Sequence, residues 1–341
     1  GHFQDLPYLS TRKRSVAGWR RHFQTGSSEH GESMNKTDEI RALPAADDHV
    51  RGMALCAGAM LLLPLMDAIA KWLSTEAGVS PGQLTLARFV VQAVVSGAIV
   101  VAVAGFVALW PKRPLMNLIR GAILGTASLL FFLALKYMPL ADAISVFFVE
   151  PLILTILSVI FLHEKVGWRR GFAILVGFVG ALIVIQPSYA LFGAVSLLPL
   201  GTATLFASYL TLNRAAGVRD SAVVMQFAAG VGGVLVLSLA TAAGTAWGIG
   251  NLGLRVDFPA YAWILMAVMG GVGMTGHYII VLAFRIAPAS LLAPFQYLEI
   301  VSAAAAGFLL FGDFPSLSKW IGVAMIVGSG LYVFWRERRR Q

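Results

Sequence analysis

The hydrophobic positions of this 341-residue chain form long continuous runs that are separated by short polar links. A helix that crosses the hydrocarbon layer of a membrane needs about 20 apolar residues. The links carry helix-breaking residues such as Ser80-Pro81-Gly82, which mark where the helices end. The pattern predicts ten membrane-spanning helices, at positions 52–73, 82–106, 116–136, 140–161, 170–186, 193–212, 221–243, 259–283, 289–311 and 317–335.

The composition agrees with a protein that lies mostly within a lipid bilayer. Hydrophobic residues make up 58% of the chain and charged residues 13%, whereas soluble domains carry about 25% charged residues. The net charge of +9 would suggest nucleic acid as a partner if the protein were soluble. Because the basic residues lie in short links between apolar runs, we expect no nucleic-acid partner, and membrane lipid as the surroundings of the chain.

The basic residues also predict how the chain is oriented. With a cytoplasmic N-terminus, the two terminal segments and the links on the cytoplasmic side together carry 21 of the 26 Lys and Arg residues, and the opposite links carry Lys71, Lys136, Arg255 and Lys319. Cytoplasmic loops of membrane proteins are enriched in Lys and Arg. The asymmetry predicts a multi-pass protein of a bacterial-type inner (cytoplasmic) membrane, with both termini cytoplasmic. Residues 1–50 are polar and lack periodicity, which predicts a disordered cytoplasmic tail.

The two halves of the hydrophobic region resemble each other at an offset of 149 residues. In the first half Lys136, Pro139 and Glu150 occupy the positions that Arg285, Pro288 and Glu299 occupy in the second. Each half holds five predicted spans, so the second copy must enter the membrane inverted. We therefore predict two five-helix repeats, at 51–187 and 193–336. Inverted repeats place a binding site near the membrane midplane, between the halves.

Several segments match the motifs of a known family. They are 134–143 (ALKYMPLADA), Glu150-Pro151, 161–165 (FLHEK) and the glycine-rich stretch 171–180. Through them the chain resembles the drug/metabolite transporter superfamily, in its ten-span branch with two EamA-type repeats, over about residues 52–336. His163 stands where the family has a small residue, and Asp313 replaces the glutamate of the second copy. The resemblance implies an all-α membrane protein of ten transmembrane helices, arranged as two inverted five-helix EamA repeats.

The resemblance also implies a function. The family consists of secondary active transporters that move small organic metabolites across the cytoplasmic membrane by alternating access. The segment 139–143, followed by Glu150-Pro151, looks most like branches that include carriers of S-adenosylmethionine and riboflavin, and other members carry amino acids. Three alternatives stay open: a multidrug exporter of the same fold, an integral membrane enzyme that acts on lipid-linked substrates, and a non-transporting membrane partner protein.

Motifs that would indicate other chemistry are missing from the sequence. There is no Gly-x4-Gly-Lys-Ser/Thr phosphate loop and no His-Glu-x-x-His zinc motif. We therefore expect no cofactor, no metal site and no enzymatic activity, and a small-molecule metabolite as the partner.

Two glutamates fall inside predicted spans, where a charged group costs several kcal/mol. Glu150 lies in the middle of span four and Glu299 in the middle of span nine. The functional hypothesis is that they line the substrate path, where they bind a cationic group or carry a proton. The structural alternative is a pair of carboxyl groups that neighbouring side chains or backbone satisfy.

A second set of polar residues falls in spans one, two and eight. Asp67 and Lys71 lie one helical turn apart, which favours pairing, and Arg88 is within reach of Asp67. They form either a structural ion network near the outer surface or a substrate-binding and gating site. His277 follows the glycine-rich stretch 270–276, which predicts a cavity beside it; the alternative is a packed, hydrogen-bonded histidine.

Span nine also carries Gln296 and Tyr297, and Phe147 and Phe148 stand at the matching positions of span four. A pocket of mixed aromatic and polar side chains suits a planar organic metabolite, while the alternative for all four residues is helix packing. Gln226 is expected near the inner surface, in contact with solvent.

Overall fold

The computed structural model describes residues 46–162, 168–216, 221–286, 295, 298–313 and 316–338. The described residues from 49 onwards form one compact unit. Within the described ranges the secondary structure is helical and contains no strand. The α-helices are α1 (Ala46–Thr75), α2 (Pro81–Ala104), α3 (Pro114–Tyr137), α4 (Leu140–Phe147), α5 (Glu150–Leu162), α6 (Trp168–Phe192), α7 (Leu197–Ala216), α8 (Ala222–Ala246), α9 (Ala260–Ile286), α10 (Leu298–Phe311) and α11 (Leu317–Arg338).

The predicted all-helical membrane fold is confirmed. Seven helical stretches of the described residues are long and apolar enough to span a membrane, and 298–311 and 320–329 form shorter apolar helices. Helices lie at every one of the ten predicted positions, although 289–294 and 296–297 fall outside the described residues. The first helix begins at Ala46, and residues 1–45 of the predicted tail lie outside the described residues.

Local sequence accounts for the ends of several helices. Pro81 is the first residue of α2, where its missing amide hydrogen costs nothing. The side chain of Ser80 caps the same helix by accepting a hydrogen bond from the backbone amide of Gln83, at 3.1 Å. Ser221 caps α8 in the same way through Val224. Gly105, with a φ of 80°, ends α2 because a left-handed backbone favours glycine.

Span four is not the continuous helix that the sequence predicts. It divides into α4 and α5, with Phe148 and Val149 between them. Proline at the second position of α5 explains the break, because Pro151 has no amide hydrogen with which to continue the preceding helix. As a consequence, Glu150 lies in the first turn of α5 and not in the middle of a continuous helix. Carboxylates are favoured at this end of a helix dipole. Glu299 is the second residue of α10 as described, but residues 296–297 just before it lie outside the described residues and residue 295 is helical.

Small residues allow close contacts between the helices. α8 packs along both α2 and α3, and α6 packs along α11. A methyl group added at Gly121 of α3 would collide with the backbone of Ala229 in α8. One added at Gly230 would lie 2.9 Å from the backbone of Ala93 in α2. The glycines therefore set how closely these helices approach each other, as small residues do in membrane helix pairs.

One end of the helix bundle is connected by hydrogen bonds between distant segments. The link between α8 and α9 receives hydrogen bonds from Ser80, whose hydroxyl donates to the Gly253 carbonyl at 2.7 Å. Gln83 donates to the Arg255 carbonyl at 2.8 Å. Lys136, at the end of α3, donates to Asn251 at 2.8 Å. We call this end, defined by Ser80, Lys136 and the link 247–259, the link face. The predicted spans cross the membrane in alternating directions, and this order places all the segments of the link face on the same side of the membrane.

Candidate functional site

The guanidinium of Arg88 lies at the centre of a polar cluster inside the bundle. Arg88 belongs to α2 and is 3% exposed. Its Nη1 donates to Ser128 Oγ of α3 at 2.7 Å. Its Nη2 lies 3.3 Å from Nε2 of His277 in α9. The rings of Phe89 and Phe132 lie 5.2 and 6.0 Å from the guanidinium carbon, so apolar surface encloses the charge.

The contacts of His277 define its chemical state. Nδ1 lies 2.9 Å from the Gly273 carbonyl oxygen, one turn earlier in α9. A carbonyl only accepts, so Nδ1 carries a proton and donates it. Nη2 of Arg88 lies 3.3 Å from Nε2 and 3.5 Å from Nδ1; with Nδ1 assigned as the donor to Gly273, Nε2 is the acceptor and His277 is a neutral imidazole. Arg88 is therefore oriented from two sides, by Ser128 and by His277.

Most of the glycines before His277 pack against other helices and do not line a cavity, contrary to the expectation from sequence. A methyl group at Gly270 would meet Val91, and one at Gly276 would meet Leu63. At Gly273 it would meet Met66 and also Nε of Arg88, at 3.3 Å in the latter case. These glycines let α1 and α2 approach α9, and Gly273 provides the space that the Arg88 side chain fills.

The predicted pair of Asp67 and Lys71 is wrong. Lys71 Nζ lies 2.7 Å from Asp313 Oδ2, 242 residues away in the chain. Asp67 is 3% exposed, and its Oδ1 has no hydrogen-bond partner within the ranges that the structure describes. Its negative charge interacts electrostatically with the guanidinium of Arg88. Sequence proximity favoured the wrong partner because the true partner follows α10, in the other half of the chain.

Three carboxyl groups of the interior, those of Asp67, Glu150 and Glu299, are linked by their electrostatic interactions, and Asp67 also interacts with Arg88. Glu299 of α10 is partly buried and experiences the negative charges of both Asp67 and Glu150. Glu150 itself is 5% exposed. Ser302, one turn beyond Glu299, donates to the Leu61 carbonyl of α1 at 2.9 Å, so α10 lies against the helix that carries Asp67. The two predicted halves thus both contribute acidic groups to one interior region.

Aromatic rings surround the break between α4 and α5. The ring of Phe147 is 5.9 Å from that of Phe131, 6.3 Å from that of Phe148 and 5.7 Å from that of Phe206, centroid to centroid. Phe206 in turn lies 5.8 Å from Tyr209 of α7. The predicted residues Phe147 and Phe148 are therefore part of an aromatic cluster next to Glu150. Their predicted partners Gln296 and Tyr297 lie outside the described residues.

Sequence reasoning missed or misplaced several polar residues of the interior. Gln226, expected in solvent, is 3% exposed, and its carbonyl and side-chain oxygens lie 3.0 and 3.3 Å from Gln92 Nε2. Arg120, counted among the cytoplasmic basic residues, is 2% exposed inside the bundle. Ser128 and Tyr209 gave no signal, because a lone hydroxyl in an apolar run is common. For Arg120 the sequence did carry a signal of burial, because this charged residue lies one or two turns inside a predicted span.

A helical bundle with an enclosed charged cluster between its helices is typical of membrane transport proteins, because intramembrane ionisable groups mark substrate and ion pathways. The family model described as the EamA-like transporter family matches residues 50–186. The chain belongs to this family of transporters, which is not a family of enzymes. It is a multi-pass membrane protein.

Curated relatives and a solved structure agree with this assignment. The chain is 28% identical over 228 residues to an S-adenosylmethionine uptake transporter of Rickettsia bellii, over 67% of this chain and 75% of that protein. It is 31% identical over 219 residues to a riboflavin transporter of Vibrio cholerae, over 62% of this chain and 68% of that protein. A crystal structure with 19% sequence identity superposes with a TM-score of 0.58, covering 87% of this chain and 99% of its own, which supports the fold.

Proposed function

We propose that this chain is a secondary transporter of a small organic cation or zwitterion of the S-adenosylmethionine type. The observation that carries the proposal is the excess of acidic groups in the interior. Asp67 and Glu150 both act electrostatically on Glu299, and Arg88 is the guanidinium that the described residues show acting on Asp67. A substrate with a positive centre, such as a sulfonium or an amine, would balance this excess. The name of the Rickettsia bellii relative points to the same substrate class.

The proposed binding site consists of Asp67, Arg88, His277, Glu150 and Glu299. Phe147 and Phe148 contribute an aromatic wall, against which a planar ring system can stack. Gln296 and Tyr297 are proposed to complete that wall from the second half. Arg88 is held by Ser128 and His277, so its position does not depend on the substrate. The acidic groups then select positive charge, and the aromatic side chains select a planar organic group.

Transport is proposed to proceed by alternating access between two inverted five-helix repeats, at 51–187 and 193–336. The packing of equivalent helices supports this arrangement. α2 and α8 are the second helices of their repeats and pack along each other, as do the last helices α6 and α11. A two-fold axis in the membrane plane would bring such equivalent helices together.

The proposed location is the inner membrane, with both termini in the cytoplasm. It rests on the uneven distribution of basic residues, 21 on one side against four on the other. The link face, which contains Lys136 and Arg255, would then lie outside the cytoplasm. The ion pair of Lys71 and Asp313 would lie on that same side.

A riboflavin-like substrate is the second candidate. The aromatic cluster of Phe131, Phe147, Phe148 and Phe206 favours it, as does the name of the Vibrio cholerae relative. An uncharged flavin would not need three carboxyl groups, so the two candidates differ in their dependence on Glu150 and Glu299.

A thermal-shift screen of the purified protein separates these candidates. Ligand at about 100 times its dissociation constant adds about 2.7 kcal/mol to the stability of the folded state. We expect stabilisation by S-adenosylmethionine, and its loss in Glu150→Gln and Glu299→Gln. Stabilisation by riboflavin that both variants retain would favour the second candidate. No stabilisation by either compound, with the same result in transport assays, would contradict both.

A further inference from the structure

Arg120 is a second enclosed guanidinium, remote from the cluster around Arg88. It lies in α3, is 2% exposed and is the largest of the fully buried side chains. Its Nη1 donates to Asn117 Oδ1, and the ring of Tyr209 lies 5.4 Å from its guanidinium carbon. Its Nε has no hydrogen-bond partner within the described residues.

The partners of Arg120 do not balance its charge. A guanidinium offers five N–H donors, and Asn117 and the Tyr209 ring supply a neutral acceptor and a ring face. Within the described ranges, no carboxylate forms an ion pair with it. A buried charge without a counter-charge is costly. The planar fork of Arg matches a carboxylate, with which it forms two parallel hydrogen bonds. A ligand group that complements this guanidinium would therefore be an anion.

Tyr209 connects Arg120 to the site described above. Its ring packs against Phe206, which contacts Phe147 beside Glu150. Tyr209 also lies near enough to Arg88 for a charge on one group to be felt by the other. Arg120 and the Arg88 partner Ser128 are eight residues apart on α3, which at 1.5 Å per residue is about 12 Å along the helix. Arg120 is about 24 Å along the same helix from Lys136 and the link face.

We propose that Arg120, with Asn117 and Tyr209, is an anion subsite that receives the carboxylate of the transported metabolite. It lies in the half of the substrate path that is remote from the link face. The inference rests on the proposed function. A phosphate of membrane lipid has the same chemistry, but the burial of Arg120 within the bundle favours a ligand that travels along the interior. A zwitterionic substrate then meets opposite charges in turn, at the acidic groups and at Arg120.

The test compares two substrates that differ only in the carboxylate. Uptake of S-adenosylmethionine and of its decarboxylated analogue is measured in proteoliposomes, for wild type, Arg120→Gln and Arg120→Lys. Arg255→Gln is the matched control, because it removes an arginine charge from the exposed link between α8 and α9. Each protein is reconstituted both in zwitterionic lipid alone and with added anionic lipid.

We expect Arg120→Gln to raise the KM for S-adenosylmethionine about tenfold or more, the effect of losing a charge-assisted hydrogen bond. Uptake of the decarboxylated analogue should change less than about twofold, which also shows that the variant is folded. Arg120→Lys should retain part of the discrimination between the two substrates.

Equal losses for both substrates would make Arg120 a structural residue and overturn the inference. A loss that appears only with anionic lipid would assign the subsite to a lipid phosphate, and also overturn it. Wild-type protein that transports neither substrate would contradict the proposed function itself.

Discussion

Lys71 Nζ lies 2.7 Å from Asp313 Oδ2, and this contact joins the last turns of α1 to the second residue after the end of α10. The side chains are 10% and 29% exposed. The ring of Phe311 lies 4.5 Å from Nζ and covers the lysine on another side. The two residues belong to different predicted repeats. In the proposed mechanism the two repeats must separate on the Lys71 side of the membrane when the binding site opens towards that side. The pair of Lys71 and Asp313 would then act as a gate.

Breaking this pair should favour the state that is open on the Lys71 side. Partly exposed ion pairs contribute about 0.2–1 kcal/mol, so Lys71→Gln or Asp313→Asn should shift the equilibrium between the closed and open states by up to about fivefold.

The measurement is the rate at which an impermeant thiol reagent labels Ser128→Cys in a Cys56→Ala background. Labelling should become faster in either variant, and slow again in the charge exchange Lys71→Asp with Asp313→Lys. Glu76→Gln, an exposed acidic residue near the same end of α1, is the control. Unchanged labelling in both single variants would refute the gate.

The contacts of Arg88 predict a graded series of variants. Arg88→Gln should abolish binding of S-adenosylmethionine, because the charge and both oriented contacts are lost. Ser128→Ala removes one hydrogen bond, with a net contribution of about 1 kcal/mol, and should weaken binding about fivefold. His277→Gln, which can still accept from Arg88, should weaken binding less than His277→Leu. Titration calorimetry in detergent measures the series. A fully functional Arg88→Gln would show that Arg88 is a structural residue.

Neutralising the acidic residues should discriminate between charged and uncharged ligands. Glu150→Gln and Glu299→Gln keep the size of each side chain and remove one negative charge. Each should reduce transport of a cationic substrate by at least about tenfold, since interactions with charged groups contribute about 1.5–3 kcal/mol. Folding, judged by the elution profile of the detergent-solubilised protein, should be unchanged. Full activity in both variants would remove these two residues from the proposed site.

Two glycines in different surroundings predict opposite effects on stability. Gly121→Ala should destabilise the protein, because the added methyl group collides with the backbone of Ala229. Gly58→Ala should be neutral or stabilising by up to about 1 kcal/mol, since no atom lies within 4 Å of the added methyl group and alanine is the better helix former. Thermal unfolding in detergent measures both variants. A stabilising Gly121→Ala would contradict the described approach of α3 and α8.

Much of the fold could be predicted because membrane insertion imposes a simple pattern. Each helix needs an apolar run of a set length, and prolines such as Pro81 and Pro114 mark the helix starts. The break before Glu150 was missed, although Pro151 carried the signal. A proline inside an apolar run fits either a kink or a new helix start, and only the surrounding packing decides between them.

The composition of the site was predicted better than its pairing. Asp67, Arg88 and His277 were identified because charged or titratable groups are rare in apolar runs. The partners were not, because Asp313 and Ser128 become neighbours of Lys71 and Arg88 only through packing between distant helices. Local spacing can suggest an i, i+4 pair such as Asp67 and Lys71, but it contains no information about a competitor 242 residues away.

Uptake of radiolabelled S-adenosylmethionine by proteoliposomes tests the central claim most directly. The wild-type protein should accumulate the compound faster than protein-free liposomes, and the double variant Glu150→Gln with Glu299→Gln should not exceed that background. The control Glu76→Gln should match the wild type. Uptake that is equal in the wild type and the double variant would show that the interior acidic groups do not bind the substrate. No uptake by the wild type would contradict the assigned substrate class.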